Sequence, residues 1–200
     1  GRRHPARAEL PPGEDGGVQH ERPQAGPREA PRRGAAARPA ASATLTRVAT
    51  PGVRRIDEVA AFLKTSAQQC LKNLIVVGSE GGLVALCLRG DHELNPLKAE
   101  RLPGVAKPLQ MAAPERVLAE LGAPVGSLGP VGLDIPLHAD HSALAMADFV
   151  CGANAADTHL SGVNWQRDLP EPAAHDLRNV QAGDQSPGGG GALAIARGVE

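Results

Sequence analysis

The feature that most constrains this chain is a pair of aliphatic runs, Leu71–Val77 and Leu83–Leu88, on either side of Gly78-Ser79-Glu80-Gly81-Gly82. Each run is too short for an ordinary helix, and the first is rich in β-branched residues. Two such runs around a Gly-containing loop predict a β-hairpin. The rest of the domain has to be built around that hairpin.

Other segments supply the remaining layers. Pro51 and Gly52 predict a turn. Ile56, Val59, Ala60 and Leu63 then recur at helical spacing and predict a helix over 56–64. Asn95 followed by Pro96 is an N-cap with proline at the first helical position, predicting a helix to about Leu102. Pro114–Leu121, closed by Gly122, predicts another. Strands are expected over 109–112, 135–139 and 160–165, with 126–134 as a glycine-rich loop. Short helices mixed with strands give an expected α/β fold on a mixed β-sheet.

Residues 1–43 differ in texture. Pro, Gly, Arg and Ala dominate, and Leu10 and Val18 are the larger aliphatics. Such a stretch cannot bury enough surface to offset its chain entropy, so it is expected to be disordered and not to pack on the domain. The domain proper is expected over 44–170. Residues 171–200 read as a linker, a turn and one unpartnered strand over 192–196, like a chain on its way into something larger.

Composition excludes several classes of function. A formal net charge of -1 argues against a free-standing nucleic-acid binder. Two Phe, one Trp and no Tyr leave little for stacking on bases. Cys70, Cys87 and Cys151 match no zinc spacing and sit in or beside apolar runs, as reduced core thiols do in a cytoplasmic protein. No apolar run approaches the ~20 residues of a membrane helix.

The chain has no P-loop, no G-x-S-x-G and no complete H-E-x-x-H; Pro96 stands where the second His of that motif would fall after His92-Glu93. In His138-Ala139-Asp140-His141, strand alternation puts His138 and Asp140 on one face, but two donors do not make a metal site. Lys72 interrupts an apolar strand, where it either snorkels or enters a polar pocket. Composition does not choose between these. Asp140 ends a predicted strand, and His159 precedes one.

Several strings converge on one family. They are Val48-Ala49-Thr50-Pro51-Gly52-Val53, Leu71-Lys72-Asn73-Leu74 and Arg89-Gly90-Asp91-His92-Glu93-Leu94-Asn95. Gly126-Ser127-Leu128-Gly129-Pro130, Ala145-Met146-Ala147-Asp148-Phe149, Gly152-Ala153-Asn154 and His159-Leu160-Ser161-Gly162-Val163-Asn164-Trp165 follow in the same order. Together they resemble the inserted editing domain of bacterial prolyl-tRNA synthetases, and 176–200 resembles the return into the aminoacylation core.

The resemblance implies hydrolysis of alanine wrongly attached to the proline tRNA. It implies Lys72, Asp140 and His159 as catalytic residues, and Thr50, Gly126, Ser127, Leu128, Gly129 and Pro130 as substrate-binding ones. It implies no metal and no cofactor for editing; ATP and proline serve the parent synthetase alone. The implied partners are the tRNA(Pro) acceptor end and the rest of a homodimeric, cytoplasmic synthetase, with no membrane. The sequence departs from the family at His141, where Arg is common, at Cys70-Leu71, which replaces Thr-Val, and at Gln185, which replaces Pro. A free-standing trans-editing deacylase and a non-catalytic tRNA-binding module of the same fold are the alternatives.

Overall fold

The computed structural model describes residues 37–184 and 191–194. The described residues fall into two units, one reaching to Asn179 and one made from 180–184 with 191–194. The expectations for 1–36 lie outside the described residues.

The larger unit is built on two sheets. β1 (Thr46–Ala49), β6 (Thr158–Val163) and β5 (Phe149–Gly152) form an antiparallel sheet in the order β1-β6-β5. β2 (Leu71–Val77), β3 (Leu83–Arg89), β4 (Leu137–Asp140) and β7 (Ala173–His175) form the second, in that order. The expected hairpin is β2–β3, in register from Leu71 opposite Arg89 to Val77 opposite Leu83. β4 joins β3 in parallel, and β7 joins β4 in parallel. This mixed topology explains why Leu83–Leu88 is an unbroken apolar run: a central strand covered on both faces has no water-facing side.

A parallel bridge between Cys70 and Val150 ties the two sheets edge to edge. Across that seam one face is shared. Leu71, Cys87, Ala139, Phe149, Cys151, Leu160 and Val163 pack in one buried cluster with Trp165. The opposite face at the seam carries Cys70 and Val150, covered by α1 (Ile56–Phe62) through Val59 and Ala60. The carboxylate of Glu58 reaches back to accept the Arg54 and Arg55 N–H groups at 3.1 and 3.0 Å, closing the first turn of α1.

Other helices follow their local signals. α2 (Pro96–Ala99) is capped by Asn95, whose side chain accepts the Lys98 N–H at 3.1 Å. It stops before Leu102, at the approach to Pro103-Gly104. α3 (Pro114–Leu121) ends at Gly122, left-handed at φ 73°. The strand expected over 109–112 is reduced to a bridge of Met111 with Val76, flanked by bonds from Val77 to Gln110 and from Ala112 to Ile75. Pro108 and Pro114 lack the N–H groups a longer ladder would use. β1, β5, β7 and the single turn α4 (His141–Leu144) have no counterpart in the sequence reading.

The end of the expected tail is a correction. Within 37–43, which is exposed apart from Arg38, three residues are bonded to the domain. Arg38 donates to the Leu144 carbonyl at 2.7 Å and pairs with Glu171 at 2.8 Å. The Ser42 N–H and hydroxyl both donate to Asp148, and Arg167 donates to the Ala43 carbonyl. Specific polar contacts hold this strap, and a reading based on apolar content could not see them. In the smaller unit, Leu193 exchanges bonds with Gly183 and Asp184 at 2.9 and 2.6 Å, so the residue expected to lie in an unpartnered strand has a partner.

Gly90 closes β3 against the turn that leads into β2. Its N–H donates to the Cys70 carbonyl at 2.7 Å, and a Cβ there would lie 2.4 Å from the Ala67 carbonyl oxygen. Gly90→Ala is expected to lower stability by ~1–3 kcal/mol, read as a lower urea midpoint at unchanged slope.

Candidate active site

Strand alternation places the nominated residues. Lys72 follows Cys70 by two, so it points to the face opposite the Leu71–Cys87 cluster. Gly152 follows Val150 by two and shares that side. His159 sits opposite Gly152 in the β5–β6 ladder, and its neighbour Leu160 belongs to the other face. Lys72 and His159 therefore face the same side of the joined sheets, with Gly152 between them carrying no side chain.

Thr50 completes this side. Pro51 and the left-handed Gly52, at φ 73°, make a tight turn in which the Val53 N–H returns to the Thr50 carbonyl at 3.2 Å. The turn fixes Thr50, fully buried, with its hydroxyl 2.6 Å from Nδ1 of His159. Burial lowers the His159 pKa from its ordinary value of 6.5, so the ring is neutral at pH 7. Its Nε2 has no hydrogen-bond partner among the described residues.

The Gly126–Pro130 loop closes over Gly152. A Cβ on Gly152 would lie 2.4 Å from the Ser127 carbonyl, and one on Gly129 would collide with the Gly152 carbonyl oxygen. Glycine at both places permits this backbone-to-backbone approach. Asn154, at φ 52°, clamps the loop from three sides. Its N–H donates to the Ser127 carbonyl at 3.0 Å, its side-chain oxygen accepts from Gly129 at 2.8 Å, and its amide donates to Val131 at 2.8 Å. Sequence reasoning did not assign Gly152 or Asn154 to the site. A Gly-x-Asn after an apolar strand was the available signal.

The loop's free groups are narrower than expected. The Ser127 N–H is engaged by Pro124 and that of Gly129 by Asn154. The Gly126 and Leu128 N–H groups make no hydrogen bond among the described residues. The Ser127 hydroxyl is fully buried and has no hydrogen-bond partner among the described residues.

Asp140 is engaged with protein groups. It lies on the Lys72 side, but the ladders put Leu88 between them. Its carboxylate is buried and occupied: Oδ1 accepts from the Ser142 N–H at 2.9 Å and from the Ser142 hydroxyl, and Oδ2 accepts from the Leu177 N–H at 2.9 Å. It caps α4 and anchors the chain after β7: both bonds on Oδ1 come from Ser142, and Oδ2 is held by the Leu177 N–H. The neighbouring His138 is likewise engaged. Its Nε2 donates to the Pro103 carbonyl and its Nδ1 meets Nε2 of His175, both at 3.1 Å, so it offers no lone pair to a metal. The thiols are poor nucleophiles. Burial pushes Cys70 up to about 11 and raises Cys87 and Cys151 further.

Comparison with known proteins matches this arrangement to one family. The model of the aminoacyl-tRNA editing domain matches residues 50–169. The chain is 51% identical over 161 residues to a proline–tRNA ligase of Legionella pneumophila strain Paris, and 52% identical over 157 residues to that of strain Lens. These alignments cover 80% and 78% of this chain, and the chain spans 28% of the length of either relative. Among solved structures, hypothetical protein APE2540 superposes with a TM-score of 0.57 at 28% identity, covering 68% of this chain and 92% of that one. A protein provisionally assigned as a trans-editing enzyme for prolyl tRNA synthetase superposes at 0.58 and 25% identity, covering 68% and 87%. The chain belongs to the aminoacyl-tRNA editing domain family, and it is homologous to the editing domain of proline–tRNA ligases.

Burial lowers the pKa values of His92, His138, His159 and His175 below 6.5. The unfolded chain therefore binds more protons than the folded one just below that pH. Stability contributed by the neutral rings is present above pH 6.5 and is lost as pH falls toward their folded values. Urea midpoints measured from pH 8 to pH 5 are expected to fall through this window, and more gently in His159→Asn.

Proposed function

We propose that this chain hydrolyses the ester that joins a wrongly attached alanine to the proline tRNA, as the editing part of a proline–tRNA ligase. The observation that carries the reading is the placement of Lys72 and the Thr50–His159 pair on one face, on either side of Gly152 and beside a loop with unengaged backbone donors.

Each group has a role suited to its chemistry. Lys72 is a point charge for a phosphate or ribose at the acceptor end. The Gly126 and Leu128 N–H groups are the donors for the oxyanion that forms when water adds to the carbonyl carbon. If the Thr50 hydroxyl donates to Nδ1, Nε2–H of His159 faces the substrate and donates to it. As the ester C–O bond breaks, one proton of the added water passes to the leaving ribose oxygen and the water oxygen stays on the carbonyl carbon, so the products are free alanine and a tRNA hydroxyl. No thiol is placed or ionised to compete with water as nucleophile. Asp140 acts at a distance by holding α4 and the Leu177 segment in place.

Such a site has a clear use. A synthetic site made for proline rejects the smaller alanine by only ~1–3 kcal/mol, too little for faithful translation. A second, hydrolytic site sized for alanine removes the error. Joining proline to tRNA, with ATP, belongs to other parts of such a ligase; this chain spans 28% of the length of the Legionella relative. The tRNA acceptor end and those other parts, in a cytoplasmic dimer, are the proposed partners. Likeness to the provisionally assigned trans-editing protein favours a free-standing deacylase as the second reading.

Lys72→Ala tests the proposal. Losing one charge-assisted contact, worth roughly 1.5–3 kcal/mol, is expected to slow hydrolysis of alanyl-tRNA(Pro) by about ten- to a hundredfold with the fold intact. Partial rescue by Lys72→Arg points to electrostatic binding, and its absence to a geometric role. Hydrolysis by both variants at the unaltered rate removes Lys72 from the site. No hydrolysis by the unaltered chain favours a non-catalytic binding module.

A further inference from the structure

The string Arg89–Asn95 takes no part in the chemistry above, yet the structure gives nearly every residue of it a partner. Arg89 forks onto Asp91 at 2.6 and 2.9 Å. It also donates to Nε2 of His92 at 2.9 Å, which leaves the His92 proton on Nδ1, directed at the Ser142 hydroxyl 2.9 Å away. That hydroxyl donates to Asp140. The contacts thus run in one direction, from Arg89 through His92 and Ser142 to Asp140.

The second half of the string grips the chain just after β7. The Glu93 carbonyl accepts from the Asn179 N–H at 2.8 Å, Leu94 bridges Arg178, and the Asn95 N–H donates to the Leu177 carbonyl at 2.8 Å. Lys98, buried in α2, holds the same stretch from the other side. Its ammonium lies 2.9 Å from Asp176 and 2.9 Å from the Arg178 carbonyl. Leu177 is fully buried among Val76, Leu86 and Leu88, on the Lys72 side of the sheet. Two of these contacts continue toward the candidate site. The Leu177 N–H holds Asp140, and the Glu93 carboxylate lies 3.9 Å from the Lys72 ammonium.

We propose that Asp176–Asn179 is a clasp that sets the candidate site: Lys98 pins it, and its seating places Lys72 through Glu93 and α4 through Asp140. The proposal rests on reading Lys72 as the cation of the site. It makes Lys98 and Glu93 positioning residues, and it means that a pull on the chain beyond Asn179 is felt at Lys72. Backbone bonds and a buried ion pair suit such a role, because they are made or lost together when the segment seats or lifts.

Lys98→Met in the full chain tests it, with Asp176→Asn as a milder change that leaves the Lys98 bond to the Arg178 carbonyl. Two readouts need no activity: amide hydrogen exchange at Leu177 and Asn179, and acetylation of the Lys72 amine by a small reagent, relative to exposed Lys64. Lys98→Met is expected to speed exchange at both amides and to change relative acetylation of Lys72 by about two- to thirtyfold, the range of coupling through a packed network. Asp176→Asn should shift both in the same direction by less. Faster exchange with unchanged Lys72 reactivity in both variants overturns the coupling, and unchanged exchange in both overturns the pin. In alanyl-tRNA hydrolysis, Lys98→Met and Glu93→Gln should be non-additive in kcat; additive effects overturn the Glu93 route. If the unaltered chain hydrolyses nothing, the functional reading fails, and exchange and acetylation still decide the clasp.

Discussion

The approach of the Ser127–Leu128 backbone to Gly152 is the contact on which the candidate site depends. A main chain can lie directly on another only where no Cβ intervenes, and both Gly129 and Gly152 meet that condition. The contact keeps the loop on β5, between the Lys72 strand and the His159 strand. Asn154 then converts proximity into register, because its backbone and side chain fix three loop groups at once. Two loop N–H groups, those of Gly126 and Leu128, are left over among the described residues, and the proposed function uses them as its oxyanion donors.

A second constraint is the seam between the sheets. One bridge, Cys70 with Val150, aligns the β2 edge with the β5 edge. Alternation does the rest: each second residue from the seam falls on the α1 side. Lys72, Gly152 and His159 share a face for that reason, although 87 positions separate Lys72 from His159 in the sequence. The other face is mainly apolar, with Asn73 beside Cys87, and carries Phe149 against Trp165, with ring centroids 5.2 Å apart. A chain with few aromatics has placed two of them in one cluster behind the site, where they stiffen the strands that present it.

Polar groups in this domain act mainly as fasteners. Asp140 holds the start of α4 and the Leu177 N–H, Asp148 holds the Ser42 strap and Asn164, and Lys98 holds Asp176. Each joins segments distant in sequence, and each is engaged with protein groups on more than one side. A buried carboxylate so occupied is a poor candidate for contact with a substrate. Among the described residues, the Thr50–His159 pair differs in leaving one ring nitrogen without a partner, and Ser127 differs in leaving its hydroxyl unmatched.

Local signals in the sequence determined the β2–β3 hairpin, the start of α1, the Asn95 cap and the Pro114–Gly122 helix. Each depends on residues within a few positions of one another, and short-range rules act at that distance. The motif strings also determined the family, since order and spacing along the chain are one-dimensional facts. The sequence could nominate Lys72, Thr50, His159 and the glycine loop, but nothing in it said that they share a face. It could not show that Asp140 is already occupied, because its partner Leu177 lies 37 positions away. Nor could it show that 37–43 are strapped down, since Arg38 and Ser42 are indistinguishable from solvated residues until Leu144, Glu171 and Asp148 are brought beside them. Those outcomes were decided by the tertiary structure alone, because whether a polar group is free or engaged is set by neighbours in space.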